Sequence, residues 1–306
     1  LMPQQCDHLI EIGNISLESV RSKLRKLDVR KSKGFDGVHP YVLKECADSL
    51  SVPLQLIFTK SLLTGRIPKI WKMANISPLF KKGSKLSASN YRPVSLTSIP
   101  CKIMESIIGD NIMNHLTKYG LITKSQHGFV KKKYCSTNLL EYIDLLTYGL
   151  ANGKSFDILY TDFAKAFDRV SHRRLLIKLK AYGVSGNVLN WIEDFLKDRK
   201  QRVIMGDCIS DWCDIHSGVP QGSVLGPIFF VIFINDLPSS VKNSICKLYA
   251  DDNKLISEIK DLADCLKMQE DIDELVKWSE EWLLGFNNEK FKIMHIGKKI
   301  QILSTK

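Results

Sequence analysis

Two short apolar strands joined by an acidic turn are predicted by Ile245-Cys246-Lys247-Leu248-Tyr249-Ala250-Asp251-Asp252-Asn253-Lys254-Leu255-Ile256-Ser257. The turn carries Asp251 and Asp252 at the tip of the hairpin. Another apolar strand, Phe156 to Thr161, ends at Asp162. Since neighbouring strands lie about 4.8 Å apart, carboxylates on adjacent strands can share a pair of divalent cations. Two-metal phosphoryl transfer needs such oxygen ligands, but acidic pairs at turns are commonly just solvated, so the context has to decide.

Amphipathic helices and further strands surround these acidic residues. The spacing of apolar residues predicts helices over Ser16–Leu27, with Ser16 as N-cap, Pro40–Leu50, a continuation through Leu63, Ile103–Leu116, Leu139–Leu150, Arg173–Tyr182, Val188–Lys197, an apolar segment ending at Leu237, and a stripe from Cys265 to Trp282. Extended segments are predicted over Ile67–Phe80, Asn90–Leu96 and Gln201–Met205. The first two of these form a long hairpin whose tip carries the cations of Lys81–Lys85, although cations at a hairpin tip are usually just solvated.

The composition indicates a polyanionic partner. The chain has 306 residues, with 44 Lys and Arg against 33 Asp and Glu, which gives a formal net charge of +11. Charge alone does not separate RNA or DNA from an acidic membrane surface. No apolar run approaches the roughly 20 residues that span a bilayer, so a membrane-spanning segment is not expected.

Scattered cysteines and the lack of a signal-peptide pattern predict an intracellular protein with reduced thiols. Cys208, Cys213 and His216 form one close cluster, but their spacing lacks the tight pairs that structural zinc favours. The first residue, Leu1, is not methionine, which suggests a segment of a longer reading frame.

Seven ordered motifs resemble the reverse transcriptases of non-LTR retrotransposons, particularly jockey-like and chicken-repeat-like elements. They lie at Asp28–Val38, Ile67–Lys72, Asn90–Leu96, Ser125–Phe129, Asp162–Asp168, Gly218–Pro227 and Tyr249–Asp252, and a final palm motif resembles Trp282–Lys290. The resemblance covers nearly the whole chain. Val130 departs from it, since the family often has arginine after the Gly-Phe pair.

The resemblance implies an α+β right-hand polymerase fold, with fingers and an antiparallel palm sheet backed by helices, and with the thumb largely absent. Residues 1–66 would be an N-terminal helical extension of the fingers, 67–300 the reverse transcriptase domain, and 301–306 a tail. Within the domain, 67–152 would be mainly fingers and 153–300 mainly palm. The implied activity is RNA-directed DNA polymerisation from deoxynucleoside triphosphates (dNTPs) onto a DNA primer 3′-hydroxyl, on an RNA template, with Mg²⁺ or substituting Mn²⁺.

By resemblance, Asp162 and Asp251 are the principal metal ligands and catalytic carboxylates, and Asp252 is a weaker contributor. Phe167 matches the aromatic position under the incoming sugar, where a ring collides with a ribose 2′-hydroxyl. Without the motif it could equally be an ordinary core phenylalanine. Lys290 matches the palm lysine proposed to protonate pyrophosphate or orient the phosphates.

The remaining site residues would bind the nucleotide. Arg92 resembles the fingers arginine that grips the triphosphate, and its fork suits bidentate phosphate binding. Its partner cation would be Lys81 or Lys82, and the sequence does not choose between them. Gln221 matches the family residue that touches the nucleotide or nascent base pair, while Gly222 permits close backbone approach.

Template and primer binding is expected to rest on phosphate contacts from dispersed basic residues, namely Lys31, Lys33, Lys131, Lys132 and Lys133. A truncated or degenerate, catalytically inactive RNA-binding relic is the main alternative. A maturase-like protein and a two-metal nuclease fit less well, because the nuclease would not need the sugar-site ring, the triphosphate cations and the Pro-Gln-Gly turn together. The expected location is inside the cell, in the nucleus, the cytoplasm or both, and the oligomeric state stays open.

Overall fold

The computed structural model describes residues 6–10 and 12–298, and it alternates helices and strands along the chain. The helices are α1 (Leu17–Arg25), α2 (Pro40–Glu45), α3 (Ala47–Thr64), α4 (Ile99–Lys118), α5 (Cys135–Ala151), α6 (His172–Ala181), α7 (Gly186–Leu196), α8 (Leu225–Ile234) and α9 (Leu262–Trp282). The strands are β1 (Met73–Phe80), β2 (Tyr91–Leu96), β3 (Phe156–Thr161), β4 (Arg199–Met205), β5 (Cys208–Ile209), β6 (Cys213–Ile215), β7 (Ile245–Tyr249), β8 (Asp252–Glu258) and β9 (Lys292–Ile296). The α+β class is therefore confirmed.

Local patterns in the sequence predicted most of these elements. The Ser16 hydroxyl accepts a hydrogen bond from the Ser19 N–H (3.2 Å), which confirms the N-cap of α1. Strand β3 has the predicted bounds. The apolar helix predicted to reach Leu237 instead ends at Ile234, since Pro238 lies in a following 3-10 turn and has no N–H to continue an α-helix.

Two other predictions are wrong in detail. The helix expected from Pro40 to Leu50 is divided at Cys46, where α2 ends and α3 begins. The extended segment expected from Ile67 contains a 3-10 turn at Lys69–Lys72 before β1 begins.

The chain divides into two compact units whose segments interleave along the sequence. Of the described residues, the first unit contains 6–10, 12–119 and His172–Phe229, and the second contains Gly120–Ser171 and 230–298. The predicted division into an extension (1–66), fingers (67–152) and palm (153–300) is a functional one and stays a prediction. The predicted tail, 301–306, lies outside the described residues.

The first unit has a mixed sheet in the order β2-β1-β4-β5, with β6 also paired to β4. Strands β1 and β2 form the predicted antiparallel hairpin, whereas β1 and β4 run parallel. Helices of this unit bury large apolar side chains, among them Phe58, Trp191 and Phe195, each essentially inaccessible to water. Burial of this apolar surface stabilises the unit.

The second unit has a four-stranded antiparallel sheet in the order β7-β8-β3-β9. Tyr142 and Leu146 of α5 pack against Phe156 and Ile158 of β3, and Ile256 of β8 completes this cluster. Strands β8 and β3 are the two central strands, and each is hydrogen-bonded on both sides. No helix in the described part of the chain is long and apolar enough to cross a membrane.

Candidate active site

In the second unit, Asp162 follows β3 directly and is held by its own backbone. Its carbonyl accepts the Asn287 N–H (2.7 Å), and the next residue, Phe163, forms an antiparallel bridge with Phe286. The rings of Phe163 and Phe286 also stack, with centroids 4.7 Å apart. The backbone of Asp162 is therefore fixed by the buried strand that precedes it and by the stacked aromatic pair that follows it.

Asp251 and Asp252 lie at the predicted hairpin tip. Tyr249 and Asp252 form the last residue pair of β7 and β8, so Ala250 and Asp251 make a two-residue turn. Ala250 has a φ of 53°, which is a left-handed conformation. For an alanine this conformation costs about 1–2 kcal/mol, so surrounding contacts have to stabilise the turn.

The three carboxylates lie within electrostatic reach of one another. The pKa of Asp252 is raised, first by burial and then by the negative charges of Asp251 and Asp162. The Lys290 ammonium forms an ion pair with Asp162 Oδ2, and this hydrogen bond raises the pKa of Lys290. The structure thus brings together the four predicted residues of the acidic site.

Within residues 6–10 and 12–298, no group of three or more His, Cys, Asp or Glu side chains is arranged to hold a metal ion. One oxygen of Asp162 is paired with the Lys290 ammonium instead. The carboxylates are therefore near each other without forming a three-ligand set.

Phe167 lies in a 3-10 turn shortly after Asp162 and is partly exposed. One side of its ring stacks on Phe230 at 4.8 Å, and the edge contact with Phe129 is 6.4 Å between centroids. These contacts keep the ring from moving back into the unit. The Phe167 ring is therefore held in place by Phe230 and Phe129, and part of its surface remains accessible to solvent.

In the first unit, the β1–β2 hairpin places Arg92 opposite Leu79. The Lys81 N–H donates to the Asn90 carbonyl (2.9 Å), which extends the ladder by one step beyond Phe80. Because side chains alternate along a strand, Lys81 lies on the same face of the hairpin as Leu79 and Arg92. Lys82 lies beyond the ladder. All three cations are exposed.

The loop that carries Gln221 and Gly222 is attached to β2, the strand of Arg92. The Ser95 N–H donates to the Gln221 carbonyl (2.7 Å). Gly222 has a φ of +117°, and a Cβ at this position would lie 2.7 Å from the Ser95 carbonyl oxygen. His172 Nε2 also contacts the Gly218 carbonyl (2.7 Å). The structure therefore brings Arg92, Gln221 and Gly222 onto neighbouring segments of one unit.

Glu105 of α4 supports the helix that follows this loop. Its Oε2 accepts the N–H groups of Val224 (2.7 Å) and Leu225 (3.1 Å) at the start of α8. The side chain is fully buried, and burial raises its pKa. Sequence reasoning missed Glu105, because no local pattern links it to residues about 120 positions later.

The predicted phosphate-binding lysines differ in their surroundings. Lys31, Lys33, Lys131 and Lys132 are exposed. Lys133 instead donates to the carbonyls of Lys124 (2.6 Å) and Gln126 (2.9 Å), and burial lowers its pKa. Lys133 therefore has a structural role that its sequence position did not suggest.

Comparison with known proteins gives a consistent result. The pattern of the family described as "Reverse transcriptase (RNA-dependent DNA polymerase)" matches residues 80–306. The chain is 30% identical over 290 residues to the RNA-directed DNA polymerase from mobile element jockey of Drosophila melanogaster, which covers 92% of this chain and 32% of that protein. It is 29% identical to the probable RNA-directed DNA polymerase from transposon BS of the same organism, covering 92% of this chain and 32% of that protein.

A more distant relative is the transposon TX1 uncharacterized 149 kDa protein of Xenopus laevis, which is 26% identical over 269 residues, covering 84% of this chain and 20% of that protein. The chain spans about a third of the length of the first two relatives.

Proposed function

The chain belongs to the reverse transcriptase (RNA-dependent DNA polymerase) family, and on that premise we propose that it is the polymerase domain of a non-LTR retrotransposon protein. It would extend a DNA primer on an RNA template, using dNTPs. The observation that carries this proposal is the proximity of Asp162, Asp251 and Asp252. Burial raises the pKa of Asp252, and the negative charges of Asp251 and Asp162 raise it further. Such a concentration of carboxylates favours a bound cation.

The donor set fits a hard divalent cation, since carboxylate oxygens are the ligands that Mg²⁺ prefers and Mn²⁺ accepts. Asp162 and Asp251 would be the principal ligands, with Asp252 contributing less. Bound cations would lower the pKa of the primer 3′-hydroxyl and stabilise charge on the leaving pyrophosphate. The Lys290 ammonium, now paired with Asp162, would be close enough to the phosphates to orient them or donate a proton.

The first unit would supply the nucleotide contacts. Arg92 and Lys81 share one face of the hairpin, so we assign the triphosphate to this pair and not to Lys82. The Gln221 backbone is anchored to β2, and its side chain would touch the nucleotide or the nascent base pair. Close approach of Gly222 to Ser95 leaves no room for a larger residue.

Phe167 would exclude ribonucleotides. The stacked Phe230 ring behind it resists displacement, so a ribose 2′-hydroxyl would collide with a ring that does not yield. A valine here would open space for that hydroxyl. This contact would make deoxynucleotides the preferred substrate.

In this proposal the mixed sheet of the first unit belongs to the fingers and the antiparallel sheet of the second unit to the palm. The net charge of +11 and the exposed Lys31, Lys33, Lys131 and Lys132 would bind template and primer phosphates. Because copying requires cellular RNA, we expect the protein inside the cell, in the nucleus, the cytoplasm or both.

Primer extension on a primed homopolymeric RNA template tests the proposal. The wild-type chain is compared with an Asp251→Asn/Asp252→Asn variant, and with Asp207→Asn as a matched control in the exposed turn between β4 and β5. Binding of the same duplex is measured in parallel. We expect extension to be lost only in the double variant, while all three proteins bind the duplex. Wild-type protein that binds the duplex and never extends it would refute the polymerase and favour the RNA-binding relic.

A further inference from the structure

Gln126 is a fully buried residue whose side-chain oxygen holds two backbone groups. Its Oε1 accepts the N–H of Gly128 (2.7 Å) and the N–H of Ala250 (3.0 Å). Since both neighbours are donors, the amide has only one orientation in which hydrogen bonds form, with the oxygen towards them. The side chain therefore connects the segment around Gln126 to the turn that carries Asp251 and Asp252.

The Ala250 N–H needs such a partner. Ala250 is the first residue of the two-residue turn, outside the paired ladder of β7 and β8, and its φ is left-handed. A buried N–H without an acceptor would add a further penalty to this strained conformation. Gln126 removes that penalty at the residue directly before Asp251.

Gly128 brings the same segment into direct contact with the turn. A Cβ at Gly128 would lie 2.2 Å from the Ala250 nitrogen and 2.9 Å from the Ala250 Cβ, which are separations that atoms do not adopt. Only glycine therefore lets this segment pass against the turn. The contact is between backbones, so neither can move far without the other.

The segment is itself fixed to β7. The His127 N–H donates to the Leu248 carbonyl (3.0 Å), and the Leu248 N–H donates to the Ser125 carbonyl (2.9 Å). The Asn138 side chain donates to the same Leu248 carbonyl (3.3 Å), and Lys133 donates to the Gln126 carbonyl (2.9 Å). Gln126 thus reaches the turn from a rigid support.

We propose that Gln126 is a positioning residue for the catalytic turn, which rests on the proposed polymerase function. By holding the Ala250 N–H, it fixes the backbone from which Asp251 and Asp252 reach towards Asp162. Gln126 does not touch substrate in this scheme and acts through the turn. Groups that orient ligand-bearing segments of a metal site typically contribute about 10- to 100-fold to metal affinity or activity.

Two substitutions separate the acceptor from the shape of the side chain. Gln126→Met keeps similar length and apolar volume but has no oxygen to accept the two N–H groups. Gln126→Glu keeps an acceptor oxygen. Asp271→Asn is the matched control, because Asp271 is also a buried acceptor of backbone N–H groups in the second unit, and it holds Lys242 and Ser244 before β7 begins, at the opposite end of that strand from the turn.

Four measurements are made on each protein. Hydrogen exchange, resolved at the Ala250 amide, reports the hydrogen bond itself. Electron paramagnetic resonance of free Mn²⁺ reports metal affinity without nucleotide, and primer extension gives kcat and the KM for dNTP. Thermal melting shows whether a variant has lost global stability.

We expect Gln126→Met to increase Ala250 exchange at least about tenfold, to weaken Mn²⁺ binding and to lower kcat by about 10- to 100-fold, with little change in KM. Gln126→Glu should recover part of all three. Asp271→Asn should melt earlier yet keep wild-type Ala250 exchange and Mn²⁺ affinity. If the variants acted only by destabilising the protein, Ala250 exchange and Mn²⁺ affinity would instead change in proportion to the loss of melting temperature in every variant, including the control.

The inference would be overturned if the Gln126→Met variant had the same Ala250 exchange rate and the same Mn²⁺ affinity as the wild type. Equal losses in Gln126→Met and Gln126→Glu would also overturn it, because the acceptor oxygen would then be irrelevant. If the wild-type chain neither binds Mn²⁺ nor extends primers, the proposed function fails. The exchange data would still report whether Gln126 holds the turn.

Discussion

Replacing Lys81 with glutamine should raise the KM for dNTP about tenfold, whereas Lys82→Gln should leave it within about twofold. The two lysines are adjacent in sequence, have the same charge and are both exposed. They differ in register, since Lys81 continues the β1–β2 ladder through its bond to Asn90 and shares a face with Arg92. Comparing the two variants therefore tests the position of the lysine on the hairpin, because the residue type, the charge and the exposure are the same.

The expected size follows from this geometry. Lys81 and Arg92 are diagonal neighbours on one face, and such residues lie about 7–8 Å apart, within reach of one triphosphate. A hydrogen bond to a charged group contributes about 1.5–3 kcal/mol, and exposure to water favours the low end of that range. Since about 1.4 kcal/mol corresponds to tenfold in affinity, the loss of one such contact predicts about a tenfold effect.

Single-nucleotide primer extension at a series of dNTP concentrations gives KM and kcat for wild type, Lys81→Gln and Lys82→Gln. Binding of the primer and template is measured separately, since a lysine that contacts template phosphate would change that affinity and not KM. Arg92→Lys is included because it keeps the charge and removes the bidentate fork. We expect it to raise KM as well.

A larger KM effect from Lys82→Gln than from Lys81→Gln would refute the register argument. Equal effects would also refute it, since they would show that the tip attracts phosphate through its total charge. A change confined to duplex affinity would move Lys81 from the nucleotide site to the template path.

Three further predictions test other parts of the chain. Phe167→Val should reduce discrimination against ribonucleotides by at least about tenfold in competitive extension assays, and unchanged discrimination would remove the ring from the sugar site. Burial raises the pKa of Glu105 above its usual value of 4.5, so the stability it provides when protonated is present below that value and is lost as the pH rises through the higher folded pKa. Glu105→Gln, which stays neutral, should therefore show a smaller loss of stability between pH 5 and pH 8 in urea unfolding, and an unchanged pH dependence would contradict this. Gly222→Ala should lower the free energy of unfolding by about 1–3 kcal/mol, because it places a Cβ at a φ of +117° and against the Ser95 carbonyl, and wild-type stability would show that the loop relaxes freely.

Much of the fold, and the placement of Asp162, Asp251 and Asp252 at the ends of strands, could be predicted from local patterns. The bounds of β3, the β7–β8 hairpin and the Ser16 N-cap all follow from alternation and capping preferences within a few residues. The ordered motifs also predicted the family, which the comparisons confirm. These features depend on neighbours in sequence or on residue order, so the sequence by itself determines them.

The tertiary structure decided which of these residues meet. Gln126 holds the Ala250 N–H across 124 positions, and Lys290 pairs with Asp162 across 128. The sequence likewise did not choose between Lys81 and Lys82, because their difference appears only once β1 is paired with β2 in a particular register. Hydrogen bonds and ion pairs between distant residues depend on how strands align and segments pack, and no local pattern of residues specifies that alignment.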